Sequence, residues 1–470
     1  MLPRRAKRLG LRLWPVGRVL VLAFTAAVLV AASVFYIGWD LLGAQGLKPE
    51  HRIESKTLFD LVKLSFGVVA GAGALVALVV AYRRQRVDED GALREATRLH
   101  TERFTTAVSQ LGDGSAAVRL GGVHALAGLA DDAPTRDLRQ TCIDVLCAYL
   151  RLPYRTQDDA DDTEAQHAYL ALREVRHTVI RVIRDHFRLA PDHPHCWQGH
   201  HLDFTNVVFD GGDLTGAVFR DTTVDFSGAA FDGGTVRFNE TVFSGKVDFS
   251  RASFTAGAVD FDGALFLGGD VLFTQAKFRG SMVDFSDAVF HGSTIDFSRA
   301  VFEEGQVYFT GARFAAGAIK LIRAQFKGSD VDLSGATFSG GRVNFDLCWF
   351  VRGTVAFVSN QFSGGHVAFD RARFQGSTVD YSSAVFSGST VSFESSRFSD
   401  GTVDFTNARF DSGSVDFNSA RFSGAAIDFN SARFSGAAVS FDRVSGEAPP
   451  GLIPASGPPL PAGLTLPLHW

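Results

Sequence analysis

Val283-Asp284-Phe285-Ser286-Asp287-Ala288-Val289-Phe290-His291-Gly292-Ser293-Thr294 is one copy of a phrase that recurs with little change from Leu202 to Asp442. An earlier copy has Val259-Asp260-Phe261 with Ala264 and Phe266. Later copies carry Phe405 with Phe410 and Phe417 with Phe422. From Phe261 to Phe441 the phrase is 12 residues long and reads V-D-F-S-x-A-x-F-x-G-G-x. A short fixed period is the mark of a solenoid, in which each repeat buries its apolar side only against its neighbours. The large apolar residues step alternately by 5 and 7, as at Phe261, Phe266, Phe273, Phe278, Phe285 and Phe290. Neither a helical stripe nor a plain alternation has that beat. Val or Ala stands two places before each Phe, so both point the same way in an extended segment. The residue between them, often Asp or Arg, points out.

The first coil has the plainest form. Leu202-Asp203-Phe204-Thr205-Asn206, Val207-Val208-Phe209-Asp210-Gly211, Gly212-Asp213-Leu214-Thr215-Gly216 and Ala217-Val218-Phe219-Arg220-Asp221 are four consecutive five-residue units. This stretch resembles the pentapeptide-repeat family, whose unit is roughly A-(D/N)-(L/F)-x-x. The resemblance implies a mainly β fold, a right-handed quadrilateral β-helix with one unit per face and four per coil. Two extra residues after every second unit, usually Gly and a small polar one, read as a widened corner where Gly tolerates positive φ. A coil then holds two 12-residue phrases, and the repeat makes roughly ten coils at ~4.8 Å per coil. One residue is missing before Lys246, where Phe243 and Phe249 are 6 apart. Leu321, Leu333 and Tyr381 take the place of core Phe. Phe226, Phe231, Phe261, Phe266, Phe285, Phe290, Phe405, Phe410, Phe417 and Phe422 are expected in the dry axis. Each is worth roughly 1.5–3 kcal/mol buried rather than exposed.

Outward from the repeat, five segments follow from composition: a basic N-terminus (1–18), a transmembrane hairpin (19–86), a helical adaptor (87–198), the β-helix (199–443) and a Pro-rich end (444–470). Val19 to Trp39 and Leu64 to Tyr82 are uncharged apolar runs long enough to cross a bilayer. Arg4, Arg5, Lys7, Arg8, Arg12 and Arg18 precede the first, and Arg83, Arg84 and Arg86 follow the second. The positive-inside rule then places both termini in the cytoplasm of a two-span cell-membrane protein. Gly67 and Gly71 form a G-x-x-x-G that permits close packing of spans, within the hairpin or between chains in a homo-oligomer. In the adaptor, Ser115 is a candidate helix cap, Pro134 a break, and Gly121-Gly122 a place for close helix packing. The run Arg103-Phe104, Gln110-Leu111-Gly112 and Val118 through Leu126 resembles the HEAT-like helical segment that precedes pentapeptide repeats in bacterial, particularly actinobacterial, membrane-linked proteins. That segment would act as adaptor and cap, with Trp197 plugging the first coil. Seven prolines beyond Val444 forbid a ladder there; the segment is expected to fold irregularly over the last coil.

Net charge is -5 with 46% hydrophobic residues, which argues against binding of nucleic acid by the chain at large. Four Cys make no disulfide framework. His193, His195, Cys196, His200 and His201 cluster where helix gives way to repeat. Such groups can ligate zinc, but the spacing is that of no finger, and a capping turn is the simpler reading; no cofactor is implied. Cys142 and Cys147 read as buried and inert, and Cys348, standing where Ala is usual, as core. Asp248, Asp260, Asp284, Asp296, Asp332, Asp380, Asp404, Asp416 and Asp428 recur beside core Phe as solvated outward positions. Arg373, Arg397, Arg409, Arg421 and Arg433 hold the matching slot of the other half-phrase, so stacked Asp and Arg are expected to neutralise each other in part. No nucleotide-binding, hydrolase or metalloprotease motif occurs.

Three function classes remain. The first is a membrane-tethered, non-catalytic scaffold offering rigid faces to a protein partner. The second, implied by the resemblance, is imitation of duplex DNA to regulate an enzyme such as gyrase. The third is a subunit of a membrane transport complex.

Overall fold

The computed structural model describes residues 55–154, 163–453, 460 and 462–470, with isolated helical positions between 21 and 40. The chain divides into two compact units, Met1–Leu99 and His100–Trp470. Helix α1 runs Ser55–Leu111 and exposes Leu64, Phe66, Leu78 and Val80. Among the described residues no helix is long and apolar enough to cross a membrane. The expected spans therefore find no support there, and the first, 19–39, lies largely outside the described residues. Among the described residues a Cβ built at Gly67 or Gly71 meets nothing within 4 Å.

Helices α2 (Ala116–Asp131), α3 (Arg136–Leu150) and α4 (Thr163–Phe187) pack around Val123, Leu126, Ile143, Leu146, Val179 and Ile183, all buried. Ser115 has the extended backbone of a cap, but its side chain makes no capping bond; Thr135 does cap α3, accepting from Leu138 N at 3.3 Å. Of the glycine pair, Gly122 carries the close contact. A Cβ there would lie 2.5 Å from the Leu111 nitrogen, whereas Gly121 faces open space.

From Leu202 onward the chain is a parallel β-solenoid of about 11 turns. Coil 247–270 is representative: strands Val247–Asp248, Ser253–Thr255, Ala258–Asp260 and Leu265–Leu267 lie on four successive faces. Each face is centred on one ring, Phe249, Phe254, Phe261 and Phe266 on faces 1 to 4. Faces 1 and 4 form one sheet and faces 2 and 3 the other. Register advances 22 residues in the first coil (Leu202↔Val224), 23 in the next (Val224↔Val247) and 24 from Ser253↔Lys277 onward, which is two phrases per coil. The wide corners are closed by glycines pressed on the coil before. A Cβ on Gly317, at φ +95, would sit 2.2 Å from the Ser293 carbonyl oxygen.

The core is four columns of stacked rings. Phe226–Phe249, Phe231–Phe254, Phe261–Phe285 and Phe266–Phe290 are 4.7, 4.7, 4.7 and 4.8 Å apart and nearly parallel. Phe405, Phe410 and Phe417 are fully buried and Phe422 is 8% exposed. Where Leu321 and Leu333 interrupt two columns, an enclosed apolar void of ≈ 20 Å³ remains beside Phe297, Phe309 and Phe345. At the first coil the expected plug is displaced. Phe187 of α4 packs at a tilt against Phe219, centroids 5.1 Å apart, while Trp197, fully buried, stacks on His186 at 4.0 Å. At the last coil Phe441 N donates to Thr465 O, Leu464–Thr465 pairs with Val439–Ser440, and Trp470 lies 5.6 Å from Phe441. The prolines thus leave room for one short rung, between Pro461 and Pro467.

Candidate functional site

The reactive groups gather at the junction of helices and first coil, and they are used to hold it. Asp210, on the second face of coil one, is nearly buried. It accepts from Tyr154 Oη at 2.5 Å, Tyr169 Oη at 2.7 Å and Arg173 Nε at 3.1 Å, with His177 Nε2 at 3.2 Å. Burial works against its charge, yet the bonds from His177, Tyr154 and Tyr169 outweigh it and hold the carboxyl well below its usual range. Buried Arg176 donates to Leu150 O and Val208 O and lies over the Tyr154 ring at 4.1 Å. A second knot forms around Asp131, which accepts from Trp197 Nε1 at 3.0 Å and faces His186 Nε2 at 3.1 Å. Burial opposes a charged His186, but the Asp131 carboxylate and the Val182 carbonyl raise its pKa above the ordinary value.

An Asp–His pair can serve catalysis only if the second ring nitrogen is free to exchange a proton with a nucleophile, water or substrate. Here the second His186 nitrogen is taken by Val182 O, 2.6 Å away, so the pair is a clamp. Cys142 Sγ lies 3.8 Å from His100 Nε2, a second arrangement of suggestive chemistry. Burial pushes the Cys142 thiol up to about 11 and lowers His100, which keeps both neutral rather than forming a thiolate–imidazolium pair. Burial likewise raises Cys147, up to about 12. Cys348 sits in the core and donates to Leu321 O.

The sequence-level metal candidates do not converge. His193 Nδ1 accepts from His195 N, Cys196 Sγ contacts Leu189 O, and His200 Nδ1 meets Gln140 Oε1 at 3.0 Å. Burial, with Arg136 and Arg139 nearby, lowers His200 to about 4. Among the described residues no group of three or more His, Cys, Asp or Glu is placed to hold a metal ion.

On the solenoid, charge is sorted by face. Asp225, Asp248, Asp296 and Asp416 lie on face 1, and Asp260, Asp284, Asp332, Asp380, Asp404 and Asp428 on face 3. Each is more than a solvated position. Its Oδ1 accepts the backbone N–H two residues on, as Asp284 does from Ser286 at 2.8 Å and Asp404 from Thr406 at 2.7 Å, which sets the turn after each core ring. The arginines stand on other faces: Arg373, Arg397 and Arg421 in register on face 2, Arg409 and Arg433 on face 4. The expected neutralisation of stacked Asp by stacked Arg is therefore not made. In these slots like charge stacks on like along the axis, because the half-phrases that carry them occupy alternate faces; elsewhere Glu303 pairs with Arg279 and Lys327 of the adjacent coils.

Sequence reading passed over Trp349 and Leu347, each 41% exposed beside the face-2 arginines. The signal was available: Trp349 is in register with Gln325 and Arg373, so it stands in an outward slot. With Arg371, Arg373, Ser395 and Arg397 these two line a groove of ≈ 400 Å³.

Residues 273–319 and 369–414 match the family model described as pentapeptide repeats (9 copies). Both segments lie inside the solenoid. No curated protein and no solved structure matches the chain.

Proposed function

We propose that this protein is a non-catalytic interaction scaffold, held at a membrane by its N-terminal region, whose β-solenoid presents rigid charged faces to a protein partner in the cytoplasm. The observation that carries the reading is the division of labour among polar groups. The Asp, His, Tyr and Cys side chains of the junction, and Cys348 of the core, are tied into the fold, while the outer faces are regular, with Asp and Arg half-phrases on alternate faces. Repeat solenoids of this kind bind through extended surfaces. Tethering draws on the uncharged runs 19–39 and 64–82, their basic flanks, and the apolar side chains that α1 exposes.

Imitation of DNA is less well supported. The face-1 aspartates are interrupted where Asp296 gives way to Lys320, Asn344 and Ala368, and those of face 3 at Tyr308 and Ala356, so neither face carries an unbroken negative strip along its length. A role in a membrane transport complex has no supporting observation in the fold.

The test is alkaline extraction of native membranes, followed by proximity labelling from a ligase fused after Trp470. The full chain should stay in the pellet, and the label should fall on a small, reproducible set of cytoplasmic proteins. Release by carbonate would remove the tether from the proposal. Labelling confined to extracytoplasmic proteins would invert the topology, and diffuse labelling equal to that of a free ligase would end the scaffold reading.

A further inference from the structure

Face 2 carries a cost that the fold does not recover. Arg373, Arg397 and Arg421 are paired in register on adjacent coils, one strand spacing (~4.8 Å) apart. Like charges directly across a ladder repel. The stacked aspartates of faces 1 and 3 are compensated by the backbone N–H each one accepts. Among the described residues neither these three arginines nor Arg371 forms an ion pair.

The turn leading into face 2 has a second peculiarity, and the repeat supplies its own control. Each coil makes two equivalent tight turns whose third residue has φ near +60°. On the turn between faces 3 and 4 that position holds Glu240 and Asp287 in early coils and then Gly311, Gly335, Ser359, Ser383, Asn407 and Ser431. On the turn between faces 1 and 2 it holds Arg251, Gln275, Arg299, Arg323, Leu347 and Arg371 before Ser395 and Ser419. The backbone demand is the same at both; Gly and Asn meet it most readily, Arg and Leu less so. Residues kept in that conformation against preference mark positions where the side chain itself is needed.

Of these side chains, Leu347 and Arg371 line the groove of ≈ 400 Å³, together with Trp349, Arg373, Arg397 and the small Ser395. Exposed Trp beside Arg is the composition of binding hot spots, and guanidinium groups take carboxylates in paired hydrogen bonds. Width selects the occupant. Asp346, Asp370 and Glu394 stand one residue before Leu347, Arg371 and Ser395, so an anionic sheet or duplex lying over this edge would meet carboxylates as well as arginines. A single extended chain running along the groove meets the arginine columns alone. We infer that this groove docks an extended acidic segment of a partner protein, its carboxylates on Arg371, Arg373 and Arg397 and an apolar side chain against Trp349 and Leu347. This rests on the scaffold reading and names the partner's chemistry.

The test uses the full chain in detergent and a fluorescent peptide alternating glutamate with leucine. Three variants borrow residues that the same columns already accept: Arg371→Ser (as at Ser395), Arg397→Gln and Trp349→Gln (as at Gln325). Their folding is checked by circular dichroism. Each should weaken peptide binding by about tenfold, high salt should weaken it further, and a peptide with glutamine for glutamate should not bind. Binding unchanged in the triple variant, or equal for the glutamine peptide, would overturn the assignment. So would vesicles rich in phosphatidylserine, or single-stranded DNA, binding through these residues where the peptide does not. The two readings fail separately. A chain that captures partners in cells yet ignores the peptide loses the groove. One that binds the peptide yet captures nothing in cells loses the scaffold role.

Discussion

Tyr381 and Asn360 show how a repeat makes single side chains legible. Tyr381 stacks between Phe357 and Phe405 at 4.7 and 5.0 Å, fully buried, and its hydroxyl finds no partner. An unpaired buried polar group costs on the order of 1–3 kcal/mol, so Tyr381→Phe should stabilise the solenoid by about 1 kcal/mol and raise its thermal midpoint. Asn360 occupies the slot that Ala336 and Ala384 fill in the coils on either side, with both amide atoms unpaired. Asn360→Ala should likewise gain about 1 kcal/mol, since alanine already fits there; a drop in midpoint would mean that the amide has a partner. Leu321→Phe tests the void of ≈ 20 Å³. A ring that fills it should add about 1 kcal/mol, whereas overpacking would lower stability by a similar amount.

The helical cap depends on its clamps, and their titration sets where it is firmest. His186 has a folded pKa above its ordinary 6.5, so its contribution is complete below pH 6.5 and is lost as pH rises through the raised value. His200 is held down to about 4. Between pH 6.5 and about 4 the unfolded chain takes a proton that the folded chain refuses, so stability falls with pH across that window and levels off below it. The lowered carboxyls of Asp131 and Asp210 add a further loss once pH falls below 3.8. Denaturation of the full chain followed through the buried Trp197 should therefore show a maximum near pH 6.5. His200→Gln should flatten the acid limb and His186→Gln the alkaline limb. Unaltered limbs in both variants would show that these imidazoles do not couple to the cap.

Because one coil is two phrases, the solenoid makes a prediction about length. Excising residues 354–377 removes the 24 residues of a full coil and leaves every face in line. Trp349 then borders Arg397. Excising residues 354–365 removes half a coil. The V-D-F and A-x-F pattern still closes, but downstream segments pass to the opposite faces, and Trp349 is parted from the arginines. Both chains should retain β-solenoid circular dichroism, with peptide binding kept in part by the first and lost by the second. Collapse of the 12-residue deletion alone would mean that the two sheets are not interchangeable.

The aromatic beat, the Gly-marked corners and the departures at Lys246, Leu321, Leu333 and Tyr381 were readable in one dimension, because a solenoid core is built from near neighbours of the same phrase. So was the inertness of Cys348, which stands in an Ala slot. The junction was not readable. Asp210 meets Tyr154, Tyr169, Arg173 and His177, and Asp131 meets His186 and Trp197, from positions dozens of residues distant with no shared period. The sorting of charge lay between these cases. Alternation of Asp and Arg half-phrases is plain in the letters, and a coil of two whole phrases already implies that like half-phrase stacks on like. Which outward groups find partners was decided only by the folded coil: Glu303 reaches Arg279 and Lys327 on adjacent coils, whereas the arginines beside Trp349 form no ion pair among the described residues.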